Sequence, residues 1–190
     1  MIRAFIAIEI DPVTASQIAA AIEQLKARSA AIRWVGAGNI HLTLKFLGNI
    51  DESKIEPIGA ALTDALCPFQ RFTINAKGLG VFPNPKRPRV LWVGLVGSRL
   101  TELAVVVESA LVPLGFAREE ITFTPHLTIG RWRQAERADR ALEHELKNWT
   151  QCDFGATLVD EVIFFESVLK PAGAIYHRLK VVTLKHDRVA

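Results

Sequence analysis

The tripeptide His-Leu-Thr occurs twice, at 41–43 and at 126–128, and each copy sits at the same place in a repeated order of elements. Ile2, Ala4, Ile6, Ile8 and Ile10 alternate at period two, which predicts a strand over 2–10. Asp11-Pro12 then supplies an N-cap and a first helical residue, and Ala15, Ile18, Ala19, Ile22 and Leu25 recur at helical spacing. A turn at 36–39 leads into a strand over 40–47, which Gly48-Asn49 ends. Asp51 can cap a second helix with Ile55, Ile58, Leu62 and Leu66 on its buried face, and a third strand is predicted over 69–79. After a loop holding Pro83, Pro85 and Pro88, the order begins again. A strand over 89–96 is followed by a helix from about Ser98, with Leu100, Leu103, Val107, Ala110, Leu111 and Leu114 on one side. Then come a strand over 121–130, a helix over roughly 135–149, and strands over 154–165 and 174–184.

Both halves thus run strand, helix, strand, helix, strand. Their first strands begin at 2 and 89, 87 residues apart, and their tripeptides at 41 and 126, 85 apart. This order predicts an α+β protein, bilobal, with a pseudo-two-fold repeat of antiparallel sheets, helices packed outside and a central cleft. We read residues 1–190 as a single two-lobed domain with repeats of roughly 1–80 and 88–185. A length of 190 residues suits one such core, and 49% hydrophobic against 23% charged residues is a globular balance.

Lysine and arginine number 23 against 20 acidic residues, a formal charge of +3. That excess suits an anionic substrate and is far too small for a non-specific nucleic-acid coat. Cys67 and Cys152 lie far apart in no metal-like spacing and read as reduced thiols. The first residues lack the long apolar stretch of a signal peptide, and no run reaches membrane-spanning length, so a cytoplasmic protein is expected.

The chemistry lies in the two tripeptides. On a strand, residues i and i+2 share a face, so His41 and Thr43 point together while Leu42, Leu44 and Phe46 are expected inward. His126 and Thr128 repeat that arrangement over Leu127 and Ile129. Histidine alone has an ordinary pKa near neutrality, so one imidazole can act as base while the other acts as acid. Threonine hydroxyls can donate to the non-bridging oxygens of a phosphodiester, where transition-state charge gathers. The scheme requires no metal and no cofactor. A zinc site would want a third ligand, and neither His144, His177 nor His186 is recruited by the pattern.

The segments 41–48, HLTLKFLG, and 124–131, TPHLTIGR, resemble the paired His-x-Thr-x motifs of the two-histidine phosphoesterases. Within that superfamily the chain is similar to the RNA 2′,3′-cyclic phosphodiesterases, also called 2′-5′ RNA ligase-like proteins. Residues 3–8 (RAFIAI), 80–83 (GVFP), 89–94 (RVLWVG) and Phe165-Glu166-Ser167 with Gly173 and Tyr176 match as well, so the likeness spans nearly the whole chain. The resemblance implies a bilobal fold whose motifs face each other in a cleft, and metal-free hydrolysis of terminal RNA 2′,3′-cyclic phosphates to 2′-phosphates. It also implies His41 as proton donor to the leaving 3′-oxygen and His126 as acceptor from water, with reverse joining through 2′-5′ linkages. The expected partner is RNA with a cyclic phosphate terminus, transfer-RNA fragments included, bound by a monomer and without any membrane. Gly130 departs from the pattern, where a small residue such as alanine is expected.

Around the motifs, position in the strands sets the remaining expectations. The family pattern places Arg131 on the phosphate, although strict alternation would turn it away from His126. Lys45 is expected on the face of His41 and Thr43. Phe5 and Trp92 stand 87 residues apart, at one place in the repeat, and are expected to border the cleft and stack on a base. Trp34 is read as core or rim, and Lys86, Arg87 and Arg89 as a basic loop along an RNA backbone. Two other readings share the motifs: an esterase of a small cyclic nucleotide or other cyclic phosphate, and a non-catalytic RNA-binding module.

Overall fold

A computed structural model of the chain describes residues 1–27, 31–133, 146–171 and 173–186. Within them lie nine strands: β1 (Ile2–Glu9), β2 (Ile32–Trp34), β3 (His41–Ile50), β4 (Phe72–Phe82), β5 (Val90–Val96), β6 (His126–Trp132), β7 (Asp153–Val159), β8 (Glu161–Lys170) and β9 (Gly173–Thr183). Three α-helices accompany them: α1 (Pro12–Lys26), α2 (Ile55–Leu66) and α3 (Leu100–Leu111). The caps are those the sequence offers. The Asp11 carboxylate accepts from the Val13 N–H at 2.8 Å, and Pro12 opens α1. The Asp51 carboxylate accepts from the Ser53 N–H at 2.9 Å and starts a 3-10 turn, Glu52–Lys54, that runs into α2. The apolar stripes are buried as spaced: Ile18, Ile22 and Leu25 on α1, Ile58, Leu62 and Leu66 on α2, and Leu100, Leu103, Val107 and Leu111 on α3.

All strand pairings between these elements are antiparallel, in the order β7-β4-β5-β6-β3-β1-β8-β9, with β2 added at β6. The expected α+β class with antiparallel strands is therefore what the chain forms. The helices share the main core with one face of the sheet, where Ala4, Ile6, Ile8, Leu42, Val93 and Leu127 meet the helix stripes. On the other face a second, smaller cluster, Phe5, Ala7, Ile163 and Phe165 with Tyr176 against it, floors the first half of the cleft. The main core on one face leaves the opposite face of each central strand for chemistry.

The two halves of the sheet meet where β3 and β6 pair at Leu42 and Leu127. Each half contains a strand that the order of the sequence would give to the other. β4, last in the first repeat, pairs with β5 and β7, while β8 pairs with β1. β4 runs to Phe82, three residues past the expected end. β6 starts at His126 rather than 121, because Pro125 has no N–H to give a ladder. The helix expected over 135–149 falls mainly outside the described residues, and 146–148 are helical. No helix among the described residues is long and apolar enough to cross a membrane.

Candidate active site

β3 and β6 run antiparallel through Leu42 and Leu127, so the residues flanking that pair face each other crosswise. His41 lies toward Thr128, and His126 toward Thr43. All four line one cleft of about 680 Å³. Each histidine is the first residue of its strand and turns Nδ1 onto the carbonyl two residues back. His41 Nδ1 meets the Asn39 carbonyl at 2.9 Å, and His126 Nδ1 meets the Thr124 carbonyl at 2.7 Å. A carbonyl can only accept, so Nδ1 carries the proton in both rings and Nε2 is left for the cleft. Asn39 is itself held, its side-chain amide donating to the Ala174 carbonyl at 2.9 Å on β9.

Burial pushes the His41 pKa down to about 4, against a smaller opposing effect of the Asn39 carbonyl. Burial also lowers that of His126, the Thr124 carbonyl opposes it, and the nearby Arg131 guanidinium lowers it further. Both rings are therefore neutral at pH 7 in the free protein. Among the described residues neither threonine hydroxyl has a hydrogen-bond partner, so both are open to a ligand. No group of three His, Cys, Asp or Glu that could hold a metal ion occurs among the described residues.

Strict alternation fails on both motif strands, and in the same way. Opposite β1, one step from Ile6 to Ala7 spans two residues of β3, from Lys45 to Thr43, so Leu44 is the extra residue of a bulge. Opposite β5, the step from Leu91 to Trp92 spans Gly130 to Thr128, and Ile129 is the extra residue. Each bulge reverses the facing of the next residues along its strand. Phe46 and Arg131 turn into the cleft, Gly130 turns away from it, and Lys45 is buried while still lining it. The sequence expectations for this stretch are corrected accordingly. Phe46 is 54% exposed instead of inward. Lys45 is 4% exposed, paired with Glu108 on α3 at 2.9 Å and donating to the Ala117 carbonyl at 2.7 Å. Arg131 is exposed, lines the cleft, and acts electrostatically on both His126 and Tyr176. Gly130 faces β2, where a Cβ would stand 2.6 Å from Ile32 Cγ2, so the missing side chain makes room for the added strand.

Phe5 and Trp92 are not structural equivalents. Trp92 pairs with Thr128, and Ala7 with Thr43, so the strands superpose at an offset of 85, the spacing of the tripeptides. Phe5 is 2% exposed and stacks between the His41 ring at 4.9 Å and Phe165 at 5.2 Å. It has no ring face left for a base. Trp92 is packed so closely on β4 that a Cβ on Gly80 would stand 2.2 Å from its ring. Its ring centroid lies 6.4 Å from that of His126 and 5.1 Å from that of Phe82, and it is Phe82 that lines the cleft. Both aromatics therefore floor the site beneath the histidines. Trp34 packs on the main core beside Gly130. Lys86, Arg87 and Arg89 are exposed on a loop pinned by Asn84 and do not line the cleft.

Several cleft residues escaped the sequence reading. Tyr176 meets His41 edge-on at 5.2 Å, and burial raises its pKa against the lowering effect of Arg131 and Arg3. Phe82 meets His126 edge-on at 5.0 Å. The two histidines are thus braced alike, each by a ring edge and a carbonyl. Only the matching of Phe82 and Tyr176 to the family pattern could have flagged them.

Residues 8–92 match the model of the LigT-like phosphoesterases. An RNA 2′,3′-cyclic phosphodiesterase of Methanothermobacter thermautotrophicus is 34% identical over 96% of this chain and 99% of its own. A crystal structure of LigT from E. coli complexed with 3′-AMP aligns with a TM-score of 0.76 at 26% identity, covering 97% of this chain and 98% of that one. A protein of Thermus thermophilus shares the fold, with a TM-score of 0.83 at 23% identity, covering 98% of this chain and 100% of its own. With 34% identity over 96% of its length, the chain belongs to the LigT-like phosphoesterase family, alongside the RNA 2′,3′-cyclic phosphodiesterases.

Proposed function

We propose that this chain hydrolyses the 2′,3′-cyclic phosphodiester at RNA ends to a 2′-phosphomonoester, with His126 as general base and His41 as general acid. One observation carries the reading. Both Nδ1 atoms are held by carbonyls, so two Nε2 atoms remain on strands that face each other crosswise, each beside a threonine hydroxyl. His126 Nε2 takes a proton from water as the water oxygen bonds to phosphorus. The bond from phosphorus to the 3′-oxygen breaks, and His41 Nε2–H protonates that oxygen. Thr43 and Thr128 donate to the non-bridging oxygens, and Arg131 offsets their charge.

Burial acts on both rings, and charge separates their roles. Arg131 opposes protonation of His126, which keeps that ring a base. His41 becomes the acid once a phosphodiester anion lies beside it and favours its charged form. With a 5′-hydroxyl in place of water, the same pair would deprotonate that hydroxyl, break the bond from phosphorus to the 3′-oxygen, and join the two ends through a 2′-5′ linkage. Transfer-RNA fragments are among the ends that fit, and a monomer suffices because one chain supplies both motifs. Such a substrate places the work in the cytoplasm, where Cys67 and Cys152 stay thiols.

Phosphorus NMR on a short RNA ending in a 2′,3′-cyclic phosphate tests this, with EDTA present. Wild type should yield the 2′-monophosphate, and His41→Ala and His126→Ala should each lose at least about a hundredfold in rate. A 3′-monophosphate would reverse the assigned leaving oxygen, and full activity in either variant would remove that histidine from the mechanism.

A further inference from the structure

His41 stands between two open spaces. It lines the catalytic cleft, and it also lines a second pocket of about 500 Å³ that reaches Glu9 and Arg178. Asn39, Ala174 and Tyr176 border both spaces as well. An imidazole so placed is not wedged by core packing on every side, so its aim depends on the groups that hold it.

The Asn39 carbonyl holds Nδ1, but Asn39 is the last residue of a short 3-10 turn, Ala37–Asn39. None of the three residues is buried, and a Cβ added at Gly36 or Gly38 would meet nothing within 4 Å. Packing therefore does little to fix the turn. What ties it down is the Asn39 side chain, whose amide donates to the Ala174 carbonyl at 2.9 Å, 135 residues away in sequence. Ala174 is itself fixed, paired with Leu169 in the ladder of β8 and β9. β9 is an edge of the sheet, so alternate carbonyls face away from β8, and Asn39 takes one of them. Among the described residues the second motif has no such tie. Thr124 stands 85 residues after Asn39, and its hydroxyl reaches the Thr122 carbonyl at 3.5 Å, within its own loop.

We propose that Asn39 is a positioning residue for His41: its amide latches the 3-10 turn to β9, and the latch holds the imidazole against the cleft. The inference rests on the acid role given to His41 in the cyclic-phosphodiesterase reading. A general acid must lie within hydrogen-bond reach of the leaving oxygen, and rate falls steeply with misplacement. The Asn39 carbonyl also favours the charged ring against burial, so loosening it weakens the form that gives up the proton. The latch serves one histidine of the pair and leaves the other to its loop.

Two variants test it. Asn39→Ala removes the side chain, and Asn39→Leu keeps its size without the donor. The first readout is proton NMR of the ligand-free protein carrying nitrogen-15 histidine, with the His41 Nδ1–H signal assigned by its loss in His41→Ala. That signal should be sharp in wild type and broadened by exchange with water in both variants, because the turn can then lift and open Nδ1 to the second pocket. The second readout is kcat for a terminal 2′,3′-cyclic phosphate. It should fall about fivefold in both variants, the scale of one neutral hydrogen bond, with KM unchanged. An Nδ1–H still protected in Asn39→Leu overturns the latch. So does a rise in KM at unchanged kcat, which would make the amide a substrate contact. The NMR needs no substrate, so the two readings fail separately. Broadening in both variants, with no turnover of cyclic phosphate by wild type, overturns the reaction and keeps the latch.

Discussion

Two carbonyl oxygens, those of Asn39 and Thr124, decide which nitrogen His41 and His126 present. Each is two residues upstream of its histidine, so the tautomer is set by local backbone and would survive modest change elsewhere. Burial sets the other property, the reluctance to charge. The His41 pKa falls from an ordinary 6.5 to about 4, so the unfolded chain takes up that proton first as pH falls. The resulting penalty is absent above about pH 6.5, grows as pH drops toward 4 and is complete below it. His41→Asn removes it. Between pH 7 and pH 4.5 the unfolding free energy of the variant should therefore gain on wild type by about 2 kcal/mol, as read from urea titrations of the ligand-free protein. Parallel curves would mean that His41 is not held neutral by burial. At this scale the sequence was most legible. His41, Thr43, His126 and Thr128 could be picked out because residue types with defined chemistry recur at matching points. Phe5 and Trp92 could be located as aromatics near the site, but not oriented. An offset of 87 and one of 85 differ by a single i, i+2 step, and only the strand register separates them.

Elements explain why alternation misled where it did. A period-two reading assumes a regular ladder, and each motif strand carries an extra residue, Leu44 or Ile129, immediately after its threonine. No local residue type announces these bulges. Leu44 and Ile129 look like ordinary core residues, and they are buried like them. The bulge also drives a lysine inward, where it is tolerated because Glu108 on α3 meets it and the Ala117 carbonyl accepts a further hydrogen bond. Lys45→Met should destabilise the protein by about 3 kcal/mol, since the largely buried Glu108 loses its counter-charge and keeps only the Glu119 N–H as a partner. The double variant Lys45→Met with Glu108→Gln should recover part of that loss in a urea-melt cycle, which an exposed pair would not do. β4 offers a second check. A Cβ on Gly80 would meet the Trp92 ring at 2.2 Å, and Trp92 packs beside Phe82, whose edge braces His126. Gly80→Ala should cost about 1–3 kcal/mol by overpacking and lower kcat more than it raises KM, because the imidazole and not the cleft mouth is displaced. A change confined to the melting midpoint would detach that aromatic stack from the chemistry.

At the scale of the molecule, the repeat in the sequence and the halves of the sheet divide the chain differently. One half of the sheet reads β9-β8-β1-β3 and the other β6-β5-β4-β7, so the last strands of the two repeats are exchanged. The strand order along the chain was legible because period and turn residues mark it. The exchange was not, since pairing partners far apart in sequence leave no local signal. Its consequence can be measured at the loop between β4 and β5, where the chain passes from one repeat to the next with exposed Lys86 and Arg87. If the chain is cut there, the first fragment has β1 and β3 without β8, and β4 without β5 or β7. The second has β8 without β1, and β5 without β4. Each fragment exposes unpaired edges and half of the main core, a cost that neither can offset alone. Made separately, fragments 1–86 and 87–190 should show no cooperative unfolding. Mixed or co-expressed, they should restore a cooperative transition and turnover of the cyclic phosphate, because each brings the strand the other lacks and each brings one motif histidine. Recovery should fall with dilution, since closing the sheet is then a bimolecular step. A first fragment that folds by itself would show that β4 is not needed across the divide, and that the two halves are independent units.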